Sequence, residues 1–145
     1  MTLSRNALCA AYGALAVVAL VGTWGNNLQL GTFDPVDANV RFWTATLATP
    51  AARSITVDVL FLSQAVVLWM LIEARRLSMR GVWIYVIAGA MIAISVTMPL
   101  FMIHRERVLS RGAPGDAGGH LRMGDVVGYV VLTAIAVVYV VLALR

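Results

Sequence analysis

The residue best placed to do chemistry in this chain is an acid inside an apolar stretch. Asp58 stands four positions into a run that extends from Ile55 to Ile72. A charged side chain at the bilayer centre costs about 2.5–3.5 kcal/mol on insertion scales, so an intramembrane acid faces a bundle interior, where it pairs or carries function. Arg53 and Arg105 are the candidate cations, and His104 stands beside Arg105. A structural ion pair is the simpler expectation. Proton or ligand handling by Asp58 is the alternative. Ser63 and Gln64, near the midpoint of the same run, suit hydrogen bonds between helices.

Three further groups carry polar or steric information. Glu73, Arg75, Arg76 and Arg80 form an interfacial cluster. Glu73 and Arg76 are spaced to pair on one helix face, and the arginines could also hold anionic headgroups. Ser95 and Pro99 mark an expected kink, because proline cannot donate to the carbonyl four residues before it. Gly89 with Ala93, and Gly124 with Gly128, are small-residue pairs that let helices approach closely. Catalytic patterns are absent: there is no HExxH, GxSxG, phosphate loop or CxxC. His104, His120 and Asp125 have no useful metal-ligand spacing, and Cys9 is the single cysteine. No metal or cofactor is expected.

The elements that position these residues follow from composition. The chain has 145 residues, 61% hydrophobic and 12% charged, with a mean hydropathy of +0.86. A soluble domain averages about 45–50% apolar and about 25% charged, and a small fold cannot hide such an excess in its core. Four apolar runs, at residues 7–24, 55–72, 82–103 and 126–144, each reach the roughly 20-residue scale of a transmembrane helix. A β-barrel would instead show alternating segments of about 10 residues. The expected fold is all-α: a four-transmembrane-helix antiparallel bundle in one membrane domain. A short interfacial helix at 37–48 lies between helices 1 and 2, with Asp37 as its N-cap. Pro50 ends it. The first run reads as a retained anchor, since Gly22–Asn27 offers no small-x-small cleavage site. Ser110–Gly119 reads as a flexible polar loop.

Four crossings put both termini on one side. Arg5, Arg75, Arg76, Arg80 and Arg145 fall on that side, and Arg41, Arg53, Arg105, Arg107, Arg111 and Arg122 on the other. The near-balance gives the positive-inside rule little to act on. The tight cluster in the second connection favours cytoplasmic termini. In this arrangement Asp58, Pro99, His104 and Asp125 share one end, and Glu73 and Arg76 lie at the other. The 11 basic residues are all arginine, placed at the ends of apolar runs, so they imply headgroups and not nucleic acid.

Glu73-Ala-Arg-Arg76, Met79-Arg80, Trp83-Ile-Tyr85, Pro99-Leu-Phe101 and Arg105-Glu106 together resemble a family of small bacterial four-helix membrane proteins of unknown function. The family's acid early in the second helix matches Asp58. The resemblance covers roughly residues 10 to 110 and supplies no activity. Small multidrug exporters carry their key Glu in the first helix, and quinone-linked thiol oxidoreductases need paired cysteines; this chain has neither. The expected role is therefore a non-catalytic accessory or scaffolding subunit of a larger inner-membrane complex, one related to lipid transport being an example. A small oligomeric transporter or ligand-binding protein using Asp58 is the alternative, and a membrane enzyme acting on a lipid or quinone the second. The expected partners are the lipid bilayer and either a larger membrane protein or further copies of the chain.

Overall fold

A computed structural model describes residues 4–32, 34–112 and 121–144. Every regular element among them is helical: α1 (Arg5–Asn27), α2 (Pro35–Thr46), α3 (Pro50–Arg76), α4 (Val82–Met91), α5 (Ile94–Ser110) and α6 (Met123–Ala143). Three helices are long and apolar enough to cross a membrane: α1 with the 3-10 turn that extends it to Leu30, α3 and α6. The chain divides into two compact units, Met1–Trp24 with Leu68–Leu121, and Gly25–Val67 with Arg122–Arg145.

In the first unit the third apolar run departs from expectation. It is not one helix over 82–103 but two, broken at Ile92 and Ala93. Ala93 is fully extended, with φ 179° and ψ 138°. Tyr85 packs edge-on against Phe101, 5.6 Å between centroids, and its hydroxyl lies 3.1 Å from His104 Nδ1. In a continuous helix residues 85 and 104 would stand about 28 Å apart. Gly89 meets Thr97 in the same way: a Cβ at Gly89 would lie 2.9 Å from Thr97 Oγ1 and 3.0 Å from Ile94 Cδ1. Residue 85 against 101 and 89 against 97 is the register of an antiparallel hairpin turning at 93. Pro99 sits buried within α5, so the main interruption falls upstream of the expected kink.

The sharp turn depends on local chemistry at both ends of α4. Gly89 is the small residue that lets the arms close. The close approach at Gly89 is to the chain's own hairpin arm, through Thr97 and Ile94, and Ala93 forms the turn. α3 stops in a paired C-terminal cap: Met79 N–H donates to the Ala74 carbonyl and Ser78 N–H to that of Arg75. Ser78 takes the left-handed conformation, φ 54°, where glycine is usual. Met79 and Ala74 are both buried beneath it.

The second unit joins α2, the first two-thirds of α3 and α6. Asp34, not Asp37, caps α2: its Oδ1 accepts from the amides of Val36 and Asp37, both at 2.9 Å. Pro35 fits the first helical position because its missing N–H is not needed there. Asp37 instead receives Arg41 Nε at 3.0 Å, which holds its carboxyl below the ordinary aspartate range. Thr49 Oγ1 accepts from Ala52 N, so α3 begins at Pro50, five residues before its apolar run. Gln64 ties α3 to α6, donating to the Leu132 carbonyl at 3.4 Å and accepting from Thr133 Oγ1 at 3.3 Å. Tyr139 Oη donates to Thr46 at the end of α2 and stacks edge-on with Trp43.

Candidate functional site

The polar centre of the first unit is built where α3 ends and α5 returns. Glu73 is buried, with its side chain 8% exposed. Arg76, one turn on, grips it with two parallel bonds, Nε to Oε2 at 2.7 Å and Nη2 to Oε1 at 2.6 Å. This is the fork geometry that makes arginine–carboxylate pairs strong. Arg105 Nε donates to the same Oε1 at 2.6 Å, and its Nη1 reaches Glu106 at 2.8 Å. Arg5 Nε, at the start of α1, lies 3.6 Å from the other Glu106 oxygen. One network thus joins α1, α3 and α5.

The network overturns the expected sidedness. Glu73 and Arg76 share an end with His104 and Arg105, because the hairpin brings α5 back to the end that α4 left. Arg105 is therefore a partner of Glu73, not of Asp58. Asp58 is exposed on α3 and makes no ion pair among the described residues, with Arg53 or any other cation. Arg53 lines a small open groove of about 360 Å³ with Pro50, Ser54, Val57 and Val140.

The remaining expected positions are placed as follows. Arg75 is half-buried beside Arg76, and Arg80 is exposed in the α3–α4 connection. Ser95 is exposed just past the hairpin turn. Gly124 is exposed, and a Cβ there would meet nothing within 4 Å among the described residues. Gly128 is half-buried. Asp125 is buried, and its Oδ2 accepts from Arg122 N at 3.0 Å, capping α6. His120, Arg145 and most of the 110–119 loop lie outside the described residues. Among those described, no three His, Cys, Asp or Glu side chains converge.

Sequence reasoning did not single out Trp24, Tyr85, Thr97 and Arg5 as members of this unit. Trp24 Nε1 donates to the Ile92 carbonyl at 3.3 Å, answering one backbone group freed by the break. Thr97 is buried, and its hydroxyl has no hydrogen-bond partner among the described residues.

The chain matches, over residues 11–107, the family described as "Protein of unknown function DUF2834". The chain belongs to the DUF2834 family. No curated protein and no solved structure matches it. The DUF2834 match begins inside α1, past Arg5, and ends at the residue after Glu106, so it takes in α4, most of α5 and the network's Glu73, Arg76, Arg105 and Glu106. It leaves out α6 and the connection before it.

What this arrangement does chemically is hold helices together. Two carboxylates are each shared by two arginines, and hydrogen bonds fill the forks. The network tethers the far arm of the hairpin to α3.

Proposed function

We propose that this DUF2834 protein is a non-catalytic membrane subunit that crosses the bilayer three times, inserts one re-entrant hairpin, and works by associating with other membrane protein. The observation that carries the reading is the exposed turn of the hairpin. α4 has 10 residues, about 15 Å at 1.5 Å each, so the turn reaches about half-way into a 30 Å hydrocarbon core. There Met91 is 58% and Ile92 40% exposed, and Ser95 is exposed beside them. The amides of Ile94 and Ser95 open α5 with no carbonyl before them to bond, and Pro99 leaves the Ser95 carbonyl without its helical donor. Irregular backbone is tolerated at this depth only where protein or a water-lined cavity covers it. Exposed Asp58 makes the same demand from α3. An accessory or scaffolding role meets both with a partner's surface.

Chain order then assigns sides. With three crossings and a hairpin, Arg5, Arg75, Arg76, Arg80, Arg105, Arg107, Arg111 and Arg122 share one side. Arg41, Arg53 and Arg145 fall on the other. The positive-inside rule places the larger group in the cytoplasm, so the N-terminus is cytoplasmic and the C-terminus is not. Under this reading the two termini lie on opposite sides, whereas four crossings would put them on one.

A photo-crosslinking residue at Ile92, and separately at Ser95, tests the association in native membranes. Protein adducts of defined mass at these positions, absent from a control at Leu15 on α1, are expected. Lipid adducts alone, with a monomer on purification in mild detergent, would overturn the proposal.

A further inference from the structure

The hairpin brings together arginines that a crossing helix would place on opposite membrane faces. Arg80 stands in the connection that enters α4, and Arg107 and Arg111 lie at the end of α5. All three are exposed, and none has a carboxylate partner among the described residues. His104, Arg107 and Arg111 are spaced along one helical face of α5. The Tyr85 hydroxyl lies 3.1 Å from His104 Nδ1 across the hairpin. The nearby acids are already engaged, Glu73 by Arg76 and Arg105, Glu106 by Arg105 and Arg5. The first unit therefore carries seven arginines against two described acids. Three of these arginines, Arg80, Arg107 and Arg111, stand at the hairpin mouth, where the apolar sequence ends.

We propose that the hairpin mouth, through Arg80, Arg107 and Arg111, binds the phosphate of an anionic lipid headgroup in the leaflet it faces. Guanidinium forks match phosphate oxygens two at a time, which suits arginine better than lysine for this contact. The lipid, rather than soluble phosphate, is the occupant because the arginines stand at the membrane end of an apolar hairpin. The inference rests on the three-crossing reading, since only a returning hairpin puts Arg80 and Arg107 in one leaflet.

The test is lipid retention by the full chain, measured by native mass spectrometry from mixed phosphatidylglycerol–phosphatidylcholine nanodiscs. The wild type should retain phosphatidylglycerol preferentially. The triple variant R80Q/R107Q/R111Q should lose that preference. At about 1 kcal/mol for each arginine near an anionic surface, the loss is on the order of 100-fold. A control variant, R41Q/R53Q, should keep it. Equal preference in the wild type and the triple variant would overturn the site. Displacement of bound phosphatidylglycerol by millimolar inorganic phosphate would overturn the lipid as its source. Cysteines at Ser78 and Ser110, labelled in the same nanodiscs before lipid readout, separate the two failures. If they report opposite faces, the hairpin is wrong; if they share a face and preference is unchanged, the headgroup site alone is wrong.

Discussion

Replacing Glu73 with Gln should destabilise the protein by about 2–3 kcal/mol, and about half of that loss should vanish when Arg105 is already gone. The Glu73 carboxylate accepts three charge-assisted bonds between 2.6 and 2.7 Å while almost fully buried. Removing one member of a buried ion pair costs about 3–5 kcal/mol, because the remaining charge stays buried. Two features reduce that figure here. Arg105 keeps its 2.8 Å bond to Glu106, and Arg76, one-third exposed, can turn towards headgroups. A double-mutant cycle with R105M, followed by reversible unfolding in mixed micelles, isolates the pair. The coupling should be about 1–2 kcal/mol, within the range for residues in one ionic network. Were α4 and α5 a single crossing helix, residues 73 and 105 would sit about 30 Å apart across the hydrocarbon core, and distant sites add to within about 0.5 kcal/mol. Additivity in this cycle would refute the tether.

The other predictions concern the turns and the exposed acid. G89A should destabilise by about 1 kcal/mol, since overpacking outweighs the gain in helix propensity; a T97A companion should relieve it, and equal losses in both backgrounds would count against the close approach. S78G should stabilise by on the order of 1 kcal/mol, by removing the left-handed strain of a residue with a Cβ; melting in detergent checks it. D58L should leave the stability of the isolated chain unchanged or raised while reducing crosslinked assembly in membranes. A large loss of stability in the isolated chain would mean that Asp58 is paired within it.

The helical class and three of the four apolar elements were legible in the sequence, because length and continuous hydropathy report a span directly. The hairpin was not. Met91, Ile92 and Ala93 are all apolar, so the break leaves no mark in hydropathy, and Pro99 drew attention to a position six residues too late. The signals that do exist are steric and electrostatic. Gly89 is a small residue at the spacing that a returning arm needs, and the arginines balance under four crossings but separate eight to three under three. Asp58 misled because an acid in an apolar run was expected to find its cation within the chain. Arg105 has Glu73 and Glu106 instead, which no local pattern announces across 32 residues. The Asp34 cap was hidden by a second acid, Asp37, three residues on, although Pro35 is the residue that marks the first helical position.

The most direct test of the account is the side on which residues before α4 and after α5 emerge. Single cysteines at Ser78 and Ser110, both exposed, can be introduced with Cys9 replaced by Ala and treated with a membrane-impermeant maleimide in vesicles of known orientation. A re-entrant hairpin predicts that both label from the same face, the one that also exposes a cysteine at Arg5. Labelling of Ser78 and Ser110 from opposite faces would contradict it.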